Sequence, residues 1–345
     1  MDFSLMFWGD LSLGTSGPDY YKFLLDACRY ADDNDFTAVW LPERHFHPWG
    51  GAHPNPSVLA GAVAAATKNI RIRSGSVVMP LHHPLRVAEE WSLVDNLSNG
   101  RVELSLATGW KDDDFVFAPE KYAKRKENFA ASIKTLQGLW QGEPFPAVNG
   151  SGVAISVRAL PRPVQPDVPI WITSAGSLRT ISSAGGSGFH LLTHLLGQDV
   201  ATLEKSIGQF KAYRVRNDCK TPGKVALMLH TFVGKDDAEV RNTVKKAMSN
   251  YLMNSADLIV PVDKRAEWET LGTKVKEDMM DLSFERYFQT ASLMGTLKTC
   301  QATIQKLKQI GVTEVCCLVD FGVEPRLVME SLSNLKELKD SVKTL

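Results

Sequence analysis

Eight short apolar runs, spaced along the chain and separated by helical patterns, constrain the fold more than any other feature. They are "FSLMFW" (3–8), "TAVWL" (37–41), "IRIRSGSVVM" (70–79), "RVELSLATG" (101–109), "PIWITSAG" (169–176), "FHLLTHL" (189–195), "KVALMLHTFV" (224–233) and "EVCCLVDFG" (314–322). Most are near-continuously apolar rather than alternating, as strands covered on both faces must be. Between them, Tyr20, Leu24, Ala27 and Ala31 share one helical face after Pro18. Ala88, Trp91, Val94 and Leu97 do the same before Asn99-Gly100, and Phe129, Ile133, Leu136 and Trp140 form a third stripe. Eight alternations point to an α/β fold, a (β/α)8 TIM barrel forming one domain over 1–345, rather than a doubly wound open sheet. No GxGxxG follows the first strand, so the usual dinucleotide fingerprint is missing.

Two stretches exceed a bare barrel. Residues 142–168 place an Asn-Gly turn between β-prone runs, predicting a hairpin insertion before strand five. Residues 250–290 mix charged and Met-rich segments after strand seven and are expected to form a lid.

Lys+Arg and Asp+Glu both number 39, a formal net charge of zero. That balance gives no reason to expect nucleic acid or an anionic membrane as partner. No apolar run approaches the roughly 20 residues that cross a bilayer, and "MDFSLMFWGD" lacks the basic start of a signal peptide, so a cytoplasmic location is expected. The five cysteines show neither CxxC nor metal-ligand spacing; Cys28, Cys316 and Cys317 lie in apolar stretches and read as buried filler.

In a barrel, the residues just after each strand share one rim, where active sites are built. Here they are Glu43, Arg44, His45 and His47; His82 and His83; Thr108, Gly109 and Trp110; Ser174 to Ser177; Thr193 and His194; His230 and Thr231; and Asp320. Six of the eight histidines fall in that set, and His53 lies just beyond it. One histidine is more often structural than catalytic, but this many on one rim argue for chemistry. "TSAGSLRT" (173–180) ends a strand in small residues and opens a helix, a pattern suited to a phosphate, with Arg179 and Arg125 as candidate charge partners. Gly75-Ser76 interrupts strand three, which marks a bulge or a close ligand approach. Trp40, Trp49 and Trp110 are candidate walls for a flat cofactor.

With these residues assembled, the chain resembles the bacterial luciferase-like, flavin-dependent monooxygenases from Phe3 to about Leu338. The carriers are "VWLPERHF", "PNPSVLAGAVAAATKNIRIRSGSVVMPLHHPLRVAEEWSLVDNLSNGRVELSLATGW", "DDDFVFAPEKYAKRKENF" and "PIWITSAGS". The "PERHFH" and "ATGW" forms are most similar to the branch found within or beside nonribosomal peptide and polyketide synthases. The resemblance implies a barrel using reduced FMN and O2, with FMN supplied by a separate flavin reductase. Its substrate would be a small, or carrier-protein-tethered, aminoacyl or acyl group on a phosphopantetheine arm, in natural-product biosynthesis; a homodimer is also expected. It assigns cofactor binding to Gly75 and Ser76 (a cis peptide beneath the flavin ring), Thr108, Gly176 and Ser177, to which the reading of the rim adds Arg125 and Ser174. The rim chemistry makes Arg44, His45 and His194 the candidate catalytic groups, Arg44 for its fixed charge and His45 or His194 for moving a proton. Arg44 stands where luciferase has its catalytic imidazole, and Ala107 where the luciferase α subunit has a reactive cysteine, so light emission is not expected. His45 is either the replacement base or a support.

Three rival readings remain at this level. A metal-dependent barrel hydrolase would use His45, His47, His194, His230 and Asp320, but its HxH belongs on strand one. A deazaflavin-dependent oxidoreductase shares the barrel. A silent flavin-binding module would bind FMN without consuming oxygen.

Overall fold

The computed structural model describes residues 1–10, 16–47, 49–174, 176–256, 260 and 264–343. Twelve strands are formed by them: β1 (Asp2–Met6), β2 (Ala38–Leu41), β3 (Arg71–Ser74), β4 (Val77–Val78), β5 (Val102–Ala107), β6 (Phe145–Val148), β7 (Ala154–Val157), β8 (Ile170–Thr173), β9 (His190–His194), β10 (Val225–Gly234), β11 (Leu293–Thr296) and β12 (Glu314–Leu318). Parallel pairing runs β12–β1–β2–β3–β5–β8–β9–β10 and returns from β10 to β12, closing an eight-strand ring. The barrel expectation therefore holds.

Each of the eight runs contributes one ring strand, with two departures. The third run is not one strand: Gly75-Ser76 splits it into β3 and β4. A further parallel strand, β11, lies outside the ring on Thr231–Gly234, the far end of β10. β10 is long enough to serve the barrel with its first half and β11 with its second. The hairpin insertion is present as antiparallel β6 and β7 around Asn149-Gly150.

Helix α1 (Gly17–Asp33) starts on the Ser16 cap with Pro18 in its first turn, and buries Tyr20, Leu24, Ala27 and Ala31. After α2 (Pro56–Ala66), α3 (Pro84–Ser98) buries Ala88, Trp91 and Val94 and stops at Asn99 and Gly100, both at positive φ. Leu97, read as part of that core face, is 57% exposed instead; it sits at the helix's last turn, where the stripe has rotated off the barrel. α4 (Phe129–Gln141) buries Ile133, Leu136 and Trp140. α5 (Leu178–Gly186), α6 (Val200–Arg216) and α7 (Asp237–Asn254) follow β8, β9 and β10.

Of the stretch expected to be a lid, residues 257–259 and 261–263, including Leu258, lie outside the described residues. The remainder forms α8 (Arg265–Thr270) and α9 (Thr273–Thr290). α9 packs along α7 and buries Met280, Phe284 and Tyr287. These three residues therefore have a packing partner within the described fold. α10 (Leu297–Ile310) and α11 (Pro325–Lys343) complete the chain.

The lower interior of the barrel is ionic. Arg73 donates to Glu103 at 2.7 Å and to Glu314 at 2.6 Å, and its guanidinium lies 4.6 and 4.5 Å from the rings of Trp40 and Trp171. Charge of this kind is tolerated in a core when every ion is paired. Trp40 is thereby committed to packing with zero exposure, and cannot wall a cofactor as the sequence suggested. Cys28, Cys316 and Cys317 are buried, unpaired thiols, as expected.

Candidate active site

The loop leaving β2 folds inward, and this explains its concentration of charge. Glu43, Arg44 and His45 are all at least nine-tenths buried. One oxygen of Glu43, Oε1, accepts from Nε2 of His45 at 3.0 Å and from Nε2 of His82 at 2.6 Å; Oε2 accepts the Val78 N–H at 2.7 Å. Burial pushes Glu43 up, but these donors outweigh it and leave the carboxyl below its usual range. For His82 burial acts downward, and the hydrogen bond and charge of Glu43 overcome it, raising the imidazole's pKa. Arg44 bonds Asp114 at 2.7 Å and lies 5.1 Å from the Trp110 ring. Burial raises Asp114 despite the opposing pull of Arg44 and His45. His45 packs edge-on to Phe117, beside the exposed Phe46.

The rim of β3, β5 and β8 is lined by hydroxyls. The Gly75–Ser76 peptide is cis. Ser76 Oγ lies 3.1 Å from Ser105 Oγ and 2.5 Å from Thr173 Oγ1, and the last two are 2.8 Å apart. Ser105 escaped the sequence reading because it sits inside a run that looks apolar, and Thr173 entered it only as the start of "TSAGSLRT"; their inward parity, shared with Glu103 and Trp171 beside Arg73, was the available signal. Thr108 is half-buried just beyond β5. Arg125 stacks on Tyr122 at 3.7 Å and donates to the Gly109 and Tyr122 carbonyls, so it braces the β5 exit.

The loop after β8 has the form of an anion cradle. Ser174 is 5% exposed, and its hydroxyl is buried without a hydrogen-bond partner. Gly176 adopts φ +77°, and a side chain there would meet little besides Gln198 Oε1 at 3.4 Å. Ser177 caps α5, accepting from the Thr180 N–H at 3.4 Å. Ala175 lies outside the described residues. Gln198 also lines a flank groove of about 820 Å³, with Tyr287, Arg286 and Lys306.

The remaining histidines disperse. His194 Nδ1 accepts the Leu196 N–H, so Nε2 holds its proton, and burial lowers its pKa to about 4. His230 is fully enclosed and lowered to about 3 by burial, then by His194. His83 caps α3, and His47 accepts the Trp49 N–H. His53 meets the Tyr20 hydroxyl, which donates to Asp320; Asp320 also accepts the Trp8 and Gly9 amides. Residues required by a metal-hydrolase reading are thus engaged separately, and among the described residues no three are placed to hold a metal.

In essentially every characterised TIM-barrel enzyme the active site sits at the strands' C-terminal ends, and that is where this chain gathers its titratable and hydroxyl groups. Comparison with known proteins sharpens it: the chain belongs to the luciferase-like monooxygenase family, whose pattern matches residues 1–314. It is 34% identical to the alkanal monooxygenase alpha chain of Photorhabdus luminescens, over 95% of this chain and 92% of that one. To the oxygenase component of the flavin-dependent trigonelline monooxygenase of Acinetobacter baylyi it is 26% identical, over 67% of this chain but 65% of that protein's length. Among solved structures, monooxygenase RslO1 from Streptomyces bottropensis superposes with a TM-score of 0.82 at 19% identity, covering 98% of both chains. The FMN complex of the oxygenating constituent of 3,6-diketocamphane monooxygenase, a type II Baeyer-Villiger enzyme from Pseudomonas putida, gives 0.79 at 18%, over 98% and 97%. An F420-dependent secondary alcohol dehydrogenase gives 0.71 at 18%, over 98% and 97%. At these identities the structural likeness establishes the fold alone.

Proposed function

We propose that this chain is the FMN-using oxygenase component of a two-component monooxygenase, supplied with reduced flavin by a separate reductase. The observation that carries it is the buried, partnerless Ser174 hydroxyl beside Gly176 and the amide end of α5, on the same rim as the cis Gly75–Ser76 peptide. A buried hydroxyl without a partner costs roughly 1–3 kcal/mol, and a phosphate oxygen would satisfy it. The oxygenase-component relative and the FMN-bound neighbour support the same reading. For the substrate, the "PERHFH" and "ATGW" forms support a small or carrier-tethered acyl group.

Ser174, Gly176 and Ser177 would hold the phosphate, and the Ser76–Ser105–Thr173 hydroxyls and Thr108 would support the ring and ribityl chain. Held there, reduced FMN would supply the two electrons that, with two protons, divide O2 between product and water. Glu43 holds His45 and His82 by their Nε2 protons, and its charge keeps His82 protonated to higher pH. Arg44 fixes a permanent positive charge at the rim. Trp49, Tyr251 and Phe321, all buried, exclude water from the mouth.

Gly176 is a poor place to test the cradle, because its positive φ strains any side chain. Ser177 is exposed, and aspartate in its place can still cap α5. Ser177→Asp should weaken FMN at least tenfold by repulsion, and Ser174→Ala about fivefold, in fluorescence titrations of the folded variants. Unchanged FMN affinity in both, or binding of the deazaflavin F420 in place of FMN, would overturn the proposal.

A further inference from the structure

Asparagine followed by glycine occurs twice in the chain, at 99–100 and 149–150, and the fold treats the two pairs in opposite ways. Such a pair carries its own nucleophile. With no Cβ to shield it, the glycine nitrogen can approach the side-chain carbon Cγ of the asparagine before it.

At 99–100 that approach is closed off. Asn99 ends α3 at φ +57°, and its N–H donates to the Asn96 carbonyl at 3.2 Å. The Gly100 N–H donates to the Asp95 carbonyl at 2.9 Å as part of the same helix stop. A nitrogen engaged in this way has to give up a hydrogen bond before it can react.

At 149–150 the nitrogen is unengaged. The pair stands at the tip of the β6–β7 hairpin, and both residues are exposed. Among the described residues the Gly150 N–H has no hydrogen-bond partner, and a side chain at 150 would meet nothing within 4 Å. The asparagine, by contrast, is held. Its own N–H donates to the Val153 carbonyl at 3.0 Å, and its carbonyl accepts the Gly152 N–H at 2.9 Å. Its side-chain Oδ1 accepts the Ser151 and Val153 N–H groups, each at 3.0 Å. Two donors on that oxygen draw electron density from Cγ and already face the negative charge that appears on Oδ1 when Cγ is attacked, as the donors of an oxyanion hole do.

We propose that Asn149 is a site of spontaneous modification, at which the chain converts its own side-chain amide to a carboxyl group while Asn99 stays intact. The Gly150 nitrogen bonds to Asn149 Cγ and loses its proton. The Cγ–Nδ2 bond breaks, and ammonia leaves with that proton, closing a succinimide ring. Water then opens the ring at either carbonyl, giving aspartate or isoaspartate with no change of oxidation state. Either product adds a negative charge beside the exposed Val148 and Val153. The isoaspartyl form also puts an extra carbon into the main chain next to the Val148–Ala154 pair that closes the hairpin. None of these steps depends on the flavin reading.

The test is peptide mapping by mass spectrometry of the full chain held in mildly alkaline buffer, folded and in urea. In the folded chain the peptide containing Asn149 should change from amide to acid at least tenfold faster than the one containing Asn99, a barrier difference of about 1.4 kcal/mol. In urea, where neither pair has a fixed conformation, the two rates should converge. Gly150→Ala, which has open space for its methyl group, should slow the reaction at Asn149 at least tenfold and leave the melting temperature unchanged. Equal rates at the two sites in the folded chain, faster reaction at Asn99, no reaction at Asn149, or a Gly150→Ala variant that reacts as fast as the parent would each overturn the proposal.

Discussion

Glu43 Oε1 lies 2.6 Å from Nε2 of His82, a histidine thirty-nine residues away on a different strand exit. The same oxygen holds His45, so one buried carboxylate sets the orientation of both rim imidazoles. Glu43→Gln should preserve the fold yet release that control. His82, raised in the native protein chiefly by Glu43 working against burial, should titrate at lower pH in the variant. The limb of the pH profile that follows the His82 proton should shift downward accordingly, and coupled product formation should fall by about 10²-fold. An unshifted limb in a steady-state pH series would show that Glu43 is structural alone.

Arg44 and Asp114 form a pair in which both side chains are almost fully buried, 3% and 4% exposed. Removing one partner strands the other, which typically costs about 3–5 kcal/mol. Arg44→Ala should therefore lower the thermal midpoint by several degrees as well as impair turnover, and Arg44→Lys should recover much of the stability. Activity loss after Arg44→Ala has to be read beside a melting curve. A variant as stable as the parent would contradict the burial argument.

The buried neutral His230 makes a prediction for acid. Its folded pKa of about 3 lies below the unfolded value of about 6.5, so the unfolded chain binds the extra proton. Its contribution to stability is complete above pH 6.5 and is lost as pH falls toward 3. His230→Phe keeps the contacts with Tyr251 and Phe321 and removes the titration. Denaturant titrations should show a smaller loss between pH 6.5 and 4 than in the parent. Identical slopes would mean that His230 is not buried neutral in solution.

Asp320 acts in the opposite sense. Burial raises its folded pKa to about 6, above the unfolded value near 3.9. The folded state therefore binds the extra proton between those values, and stability falls as pH rises from about 4 to 6. Asp320→Asn should flatten that descent, at the cost of one acceptor for Trp8 or Gly9. The same titrations read it; an unchanged slope would refute the assignment.

How far the sequence could be read follows from what each residue has to do. The ring strands announce themselves because parallel strands covered on both faces must be apolar throughout, as "EVCCL" and "AVWL" are. β11 stays hidden: "LMGT" is four residues long, contains glycine, and pairs on one side with the end of another strand. Rim membership was legible for Arg44, His45 and Gly176, since each follows a strand. Partnership was not. Nothing local links Glu43 to His82, or Arg44 to Asp114, because those contacts are made by ring closure across 39 and 70 positions. Trp40 misled for the same reason: an indole at a strand end looks like a cofactor wall until Arg73 is found against its face.

Asp320 follows the last ring strand, and it is what fastens the Trp8–Gly9 amides at the end of the first. The mouth of the barrel is thus tied across the seam where the chain's two ends meet. During synthesis, Trp8 is made 312 residues before its anchor. Formation of this tie and closure of the ring become a single event, so an incompletely folded chain carries no half-made mouth.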